Sequence, residues 1–138
     1  MIVNRSVPAV TVIPVLAYED VSTASGWLCD VFGFRERLRI GNHRVQLLIG
    51  DGAVILTAHP VSPGRHACHS VHVRVANVDR HYEHAKQHGA KITQPPESYP
   101  FGERQYTAED LGGHQWTFSQ SIADIAPEDW GATVTTLE

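Results

Sequence analysis

The stretch that decides the fold is residues 99–120, YPFGERQYTAEDLGGHQWTFSQ. Residues 104–109 alternate in polarity, residues 110–113 (DLGG) are a strong turn signal, and Trp116 and Phe118 then alternate with polar residues. The stretch therefore predicts a strand, a tight turn and a second strand with one apolar and one polar face. A polar face this late in a small domain meets either water or a pocket, and which of the two applies decides the function.

Length and composition predict one small globular domain. The chain has 138 residues, of which 42% are hydrophobic, and a formal net charge of −4. With both signs of charge interspersed, we expect no nucleic acid and no membrane surface as a partner. The N-terminus lacks the pattern of a signal peptide, and no apolar segment approaches the roughly 20 residues of a membrane helix. The cysteines Cys29 and Cys68 do not form a disulfide framework, so we expect a cytoplasmic protein.

The first half of the chain predicts one strand, one helix and three further strands. An apolar run over 10–17 is typical of a buried strand, and Pro14 within it favours an edge position. Asp20 is a typical residue before a helix, and Gly33 is typical of the position just after one. The three strands after the helix are expected at 34–40, 43–49 and 53–59.

The second half repeats this order of elements. Asn77 and Gly89 take the places of Asp20 and Gly33 around a second helix, and a strand that starts at Lys91 is expected to be cut short by two prolines. Neither half is large enough to bury a core alone, so the two must pack together. We therefore predict one domain over 1–138, made of repeat one at about 10–59, a linker at 60–69, repeat two at about 70–120 and a tail at 121–138.

A duplicated βαβββ unit of this length resembles the vicinal oxygen chelate superfamily, which includes glyoxalase I, extradiol dioxygenases, fosfomycin-resistance enzymes and bleomycin-resistance proteins. The resemblance covers about residues 10–120 and is closest to the glyoxalase-like subgroup. The segments that carry it are AYED at 17–20, VFGF at 31–34, VANVD at 75–79 and the ending at 100–118. It implies an α+β fold in which tandem βαβββ repeats form a curved mixed β-sheet cup with the helices on the outside.

In metal-using members of the superfamily, the ligands come from the first and last strands of each repeat. Carried over by spacing, these positions are Ile13, Leu56, Ser70 and Thr117. None of them is a carboxylate or an imidazole, whereas a catalytic divalent metal takes about three strong protein ligands. A shift of one residue adds only His69 as a strong ligand. We therefore expect no metal and no other cofactor, with a divalent metal as the alternative.

Strand alternation predicts which side chains line the cup. The predicted ligand-binding residues are polar side chains of the second repeat: Ser70, His72, Arg74, Arg104, Tyr106, Gln115 and Thr117. The opposite wall comes from the first repeat and is apolar: Ile13, Val15, Ala17, Val54 and Leu56. Such a cup favours an organic ligand with a hydrophobic body and a polar or anionic end. Arg74 is suited to a carboxylate or phosphate, and His72 is suited to donating, accepting or removing a proton.

Structural roles compete with these assignments. His72 and Arg74 could equally be solvated residues on an open sheet or contacts to a second subunit. Arg104 could be the ion-pair partner of Asp110 or Glu109. The histidines within 66–72 alternate faces on a strand, and those within 81–88 follow a helix. Both patterns are more typical of solvated side chains than of a metal site.

The leading hypothesis is a metal-free small-molecule-binding protein that resembles the drug-sequestering bleomycin-resistance proteins, with antibiotic resistance as its role. A metal-dependent enzyme of glyoxalase or dioxygenase type, a metal-free lyase or isomerase that uses His72, and a dimeric structural or regulatory protein are the alternatives. A homodimer is expected because an open half-cup with an apolar wall exposes more hydrophobic surface than a monomer usually tolerates.

Overall fold

The computed structural model describes residues 2–60 and 69–134. The first repeat contains β1 (Val15–Tyr18), α1 (Val21–Phe32), β2 (Arg35–Ile40), β3 (Arg44–Ile49) and β4 (Gly52–Ala58). The second repeat contains β5 (Ser70–Arg74), α2 (Val78–Gln87), β6 (Lys91–Ser98), β7 (Glu103–Glu109) and β8 (Gln115–Ser121). A short 3-10 helix, Pro127–Trp130, follows in the tail. Most of the expected linker, together with His66 and Cys68, lies outside the described residues.

The two repeats form two four-stranded sheets with the same strand order. The first sheet runs β1-β4-β3-β2 and the second runs β5-β8-β7-β6. In each sheet the first and last strands of the repeat pair in parallel, while the other neighbours pair antiparallel. This identical topology confirms the predicted α+β fold of tandem βαβββ repeats with curved mixed sheets.

The predicted helix boundaries are confirmed by their capping contacts. The Asp20 carboxylate accepts a hydrogen bond from the backbone N–H of Thr23, and the Asn77 side chain accepts one from Arg80 in the same way. Gly33 follows α1 with a φ of 81°, a left-handed conformation that glycine adopts without a steric penalty.

Two strand boundaries differ from the expectation, and proline explains both. β1 begins only at Val15, since Pro14 has no N–H to donate, although its carbonyl still accepts a hydrogen bond from Ile55. β6 does not stop before its two prolines but continues to Ser98. It can do so because it is an edge strand and its pairing with β7 is irregular on both sides of Gln94.

The helices cover one side of the sheets and bury the core there. Trp116 and Phe118 of β8 are fully buried, as are Val21 and Leu28 of α1. The expectation that Trp116 is a core residue is thus confirmed.

The two repeats are joined at Asp110, in the turn between β7 and β8. Its side chain is only 6% exposed and accepts four hydrogen bonds. One oxygen accepts from the Tyr18 hydroxyl (2.5 Å) and from Trp116 Nε1 (2.9 Å). The other accepts from the backbone N–H groups of Gly112 and His114, both at 2.9 Å. Because Tyr18 belongs to the first repeat, this carboxylate connects the two halves through a buried contact.

The helices are also joined, through histidines of α2. His81 Nε2 lies 3.0 Å from the carbonyl oxygen of Phe32, and His84 Nε2 lies 3.0 Å from that of Asp30. These contacts satisfy carbonyls at the C-terminal end of α1, which has no basic residue in its own last turn. The interpretation as a solvated helix face is therefore wrong for His81, whereas His84 is exposed, as expected, and also contacts α1.

We expect Asp110→Asn to destabilise the fold by about 3 kcal/mol, because each side-chain oxygen of Asp110 accepts two hydrogen bonds and the NH2 group of asparagine can accept neither of the two at its position. Urea unfolding measures this loss. Asp51→Asn, in an exposed turn of the first repeat, is the matched control and should change stability by less than about 0.5 kcal/mol. Equal stabilities of the two variants would contradict the role given to Asp110.

Candidate functional site

Five of the predicted site residues lie on one open face of the second sheet, away from the helices. Parallel pairing places Ser70 beside Gln115 and His72 beside Thr117, and Arg74 follows on the same side of β5. Their neighbours along the strands, such as Trp116 and Phe118, point into the core. The shared face is as predicted, and the role of these five residues in ligand binding remains a prediction.

Arg104 and Tyr106 do not lie on this open face, and their placement in the cup is wrong. Tyr106 pairs with Phe118 and is fully buried, with its hydroxyl 2.6 Å from His81 Nδ1. Burial raises the pKa of the Tyr106 hydroxyl. Directly opposed residues of antiparallel strands share a face, so the register of β7 on β8 places Tyr106 among the core residues.

Arg104 contacts the start of α2 on the helix side of the sheet. Its guanidinium donates to both carboxylate oxygens of Asp79 at 3.0–3.2 Å and to the Ser98 hydroxyl at 3.1 Å. It is an ion-pair partner, as the alternative interpretation expected, but its partner is Asp79 rather than Asp110 or Glu109.

The polar residues that β7 contributes to the open face were missed by the sequence reasoning. They are Glu103, Gln105, Thr107 and Glu109, which pair with the open-face residues of β8. A signal for them was present, because Tyr106 and Ala108 are apolar and alternate with these four. The alternation indicated that the polar members face away from the core.

Glu103 organises one end of the open face. Its carboxylate accepts hydrogen bonds from the hydroxyls of Ser119 (2.7 Å) and Ser121 (2.5 Å). These bonds lower the pKa of Glu103, and the positive charges of Arg74 and His72 lower it further. The open face therefore holds a persistently ionised acid beside its two basic side chains.

Side chains in the middle and at the other end of this face also form hydrogen bonds with one another. The hydroxyls of Thr107 and Thr117 lie 3.2 Å apart. Glu109 accepts a hydrogen bond from Gln115 (3.1 Å) and forms an ion pair with Lys91 (2.7 Å). A molecule on this face thus meets donors, acceptors and charges of both signs.

The corresponding face of the first sheet is apolar, but its residues differ from those predicted. Val15 pairs with Ile55 and faces away from the helices, whereas Leu56 pairs with Leu16 in the core. Val54 lies in the core as well. The expectation that Val54 and Leu56 line the cup is therefore wrong, and Ile55 between them faces that side instead. The turn before β4 is shorter than the turn before β8, which shifts β4 by one residue relative to β8.

An N-terminal arm, residues 2–8, lies against this apolar face. The buried Gln46 donates to the carbonyl of Ser6 (2.9 Å), and Arg37 donates to the carbonyl of Arg5 (2.8 Å) and to Gln46 itself (2.7 Å). Although the arm has no regular secondary structure, these contacts fix its course.

The positions that correspond to family metal ligands do not supply a metal-binding donor set. The shift in β4 makes Ile55, rather than Leu56, the first-repeat counterpart of Thr117. Ile13, Ile55, Ser70 and Thr117 carry no carboxylate, imidazole or thiol. Within residues 2–60 and 69–134, no three His, Cys, Asp or Glu side chains are grouped so that they could hold a metal ion. The chemistry of a resident divalent metal does not fit these residues.

Sequence comparison agrees with the topology and the internal repeat. Residues 10–118 match the model of the Glyoxalase/Bleomycin resistance protein/Dioxygenase superfamily. The chain belongs to this superfamily. The expected resemblance is therefore confirmed, while the many chemistries of the superfamily leave the function to be argued from the site.

Solved structures of other members share the fold. TioX from Micromonospora sp. ML1 is 39% identical, with a TM-score of 0.69 over 80% of this chain and 97% of TioX. The fosfomycin resistance protein FosX from Mesorhizobium loti is 17% identical, with a TM-score of 0.63 over 83% of this chain and 92% of FosX. Among curated proteins, none matches the sequence. Neither helix of the described residues has the length and apolar character needed to span a membrane.

We expect Glu103 to make stability depend on pH. Its pKa is lower in the folded protein than in the unfolded chain, so its stabilising contribution is present above about pH 4.3 and is lost as the pH falls through the folded-state pKa. Unfolding free energies measured from pH 7 to pH 3 should therefore fall less steeply in Glu103→Gln than in the wild type. Glu83→Gln, on the exposed side of α2, is the control. Parallel curves for Glu103→Gln and the wild type would contradict the assignment.

Proposed function

We propose that this protein binds a small organic molecule on the open face of the second sheet and sequesters it without chemical turnover and without a metal. The observation that carries this proposal is the replacement of metal-ligand side chains by a hydrogen-bonding surface. Ser70 and Thr117, at two positions where a metal-using relative carries its ligands, share one face with His72, Arg74 and Gln115. The description of the family includes bleomycin resistance proteins, and we propose the same kind of role here.

The chemistry of the face specifies what such a ligand must carry. No hydrogen bond or ion pair within the described residues engages the guanidinium of Arg74, which leaves it available to a carboxylate or phosphate. Glu103 and Glu109 offer acceptors on the same face. The exposed apolar surface at Val15 suits a hydrophobic body. A bulky organic molecule with polar groups of both kinds is the ligand that this surface fits.

The surroundings of His72 favour binding over catalysis. A general base is usually oriented by a hydrogen bond to its second nitrogen. Within the described residues, no hydrogen bond fixes the ring of His72, which lies exposed on β5. We therefore assign His72 a binding role rather than that of a base in a lyase or isomerase.

We also propose that the protein acts as a cytoplasmic homodimer. Val12, Val15 and Ile40 of the first repeat are 79%, 52% and 56% exposed. These side chains lie at the two edges of the first sheet, on β2 and in and just before β1. We propose that a second copy covers exposed apolar side chains of this kind and completes the wall of the cup.

The proposal is tested with protein treated with a chelator. We expect it to retain its melting temperature, to contain no stoichiometric metal, and to be stabilised by at least one member of a panel of bulky aromatic and cationic drugs that includes bleomycin. About one tightly held metal per chain, binding that needs added metal, or no stabilisation by any compound would overturn the proposal.

A pair of arginine variants then locates the site. Arg74→Ala, on the open face, should weaken binding of the stabilising drug about tenfold, as expected for a lost charge-assisted hydrogen bond. Arg104→Ala, on the helix side of the same sheet, is the matched control and should leave drug affinity unchanged. The opposite pattern would mean that the face is wrongly assigned.

A further inference from the structure

A row of three aromatic side chains lies where the turn between β6 and β7 meets the C-terminal tail. The rings of Tyr99 and Phe101 are parallel to within 9°, with centroids 5.4 Å apart, and the ring of Trp130 lies 5.3 Å from that of Phe101. Trp130 is 46% exposed, and the other two are partly exposed. We call these three residues the aromatic corner. Its rings remain accessible, unlike those of Trp116 and Phe118, which are fully buried.

The aromatic corner is continuous with the open face at Tyr99. In the pairing of β6 with β7, Gln94 lies opposite Thr107 and Glu97 lies opposite Gln105, so the side chains of Gln94 and Glu97 are on the open face. The Tyr99 hydroxyl contacts both of them: it accepts from Gln94 Nε2 at 3.0 Å and donates to the Glu97 carboxylate at 3.4 Å. Tyr99 therefore lies on this side of the sheet, and the corner extends the open face beyond its edge strand.

The tail that carries Trp130 is held against the turn by backbone contacts. The N–H of Ile122 donates to the carbonyl of Gly102 at 2.8 Å. Gly102 has a φ of 84°, and a Cβ at this position would overlap the carbonyl oxygen of Ala123, so the close approach of the tail requires glycine. These contacts position the rings before any ligand arrives, which lowers the cost of ordering them on binding.

The segments that form the aromatic corner carry only negative charge. Residues 92–103 and 120–134 contain no Lys, Arg or His and have five acidic residues, Glu97, Glu103, Asp124, Glu128 and Asp129. Because the whole chain has a formal net charge of only −4, its negative charge is concentrated here. Arg104, the next base along the chain, is paired with Asp79 on the helix side of the sheet. Arg74 offsets the charge of Glu103, and none of the other four acids forms an ion pair within the described residues.

We propose that the aromatic corner binds an organic cation of the alkylammonium class. The alkyl groups of such a cation carry part of its charge and pack against an aromatic ring, and the indole of Trp130 is the ring type that attracts a cation most strongly. The surrounding acids add a negative potential that favours the same charge and disfavours an anion. This inference rests on the proposed function and deepens it, since it names a group that the sequestered molecule carries and the place where that group binds.

Choline is the probe that tests the aromatic corner, and 3,3-dimethylbutan-1-ol, which has a neutral carbon in place of the nitrogen, is its isosteric control. In ¹H–¹⁵N NMR titrations of the full chain, choline should saturably shift the indole N–H of Trp130 and the backbone amides of Phe101 and Asp129. The alcohol should bind at least about tenfold more weakly, because the attraction to the rings and acids requires the positive charge. Equal affinity for the two compounds, no saturable choline binding, or shifts that leave Trp130 unaffected would overturn the proposal.

Variants separate the contribution of the ring from that of the charge. Trp130→Ala should weaken choline binding about tenfold, whereas Trp130→Phe keeps a ring and should retain most of it. Glu97→Gln should weaken choline binding about threefold, and Glu83→Gln, which removes an exposed acid on α2, should leave it unchanged. Unaltered choline affinity in Trp130→Ala would refute the aromatic corner as a binding site.

Failure of this inference is distinguishable from failure of the proposed function. If choline does not bind but a drug stabilises the chelator-treated protein, the cation site is refuted and sequestration on the open face stands. If choline binds as expected but no drug stabilises the protein, the cation site stands and sequestration is refuted.

Discussion

The buried carboxylate of Asp110 is the contact on which the arrangement of the two repeats depends. A charge with so little exposure is tolerated only when its oxygens are fully hydrogen-bonded, and here four donors surround it. Two of them are backbone groups of its own turn, one is Trp116 in the core, and one is the Tyr18 hydroxyl of the other repeat. The turn, the core of the second repeat and the end of β1 are thereby fixed relative to each other. His81 and His84 add a second junction, between the two helices.

This junction explains where binding surfaces lie on the molecule. Because the helices and the Asp110 contact hold one side of the sheets in the core, the other side of each sheet remains open. Duplication gave the two open sides the same geometry, but their residues now differ: one is rich in hydrogen-bonding groups and the other is apolar and contacted by the N-terminal arm.

Local signals in the sequence were sufficient for the elements and for most of the repeat. Asp20, Asn77 and Gly33 marked helix ends correctly because capping depends on a few adjacent residues. The sides of β4 and β7 were misassigned, since a shift of one residue moves a strand's side chains to the other face and the register is set by pairing with distant strands. The contacts of Arg37 and Gln46 with the arm span more than 30 residues of chain, and no local pattern predicts them.

Native-state hydrogen exchange tests most directly whether the two repeats form one cooperative structure. If Asp110 and the helix junction couple them, the slowest amides of β3 and β4 and those of β7 and β8 should exchange with the same free energy, equal to that of global unfolding. Slowest amides in one repeat that open at a free energy lower by more than about 1 kcal/mol would contradict the account, because that repeat would then unfold on its own.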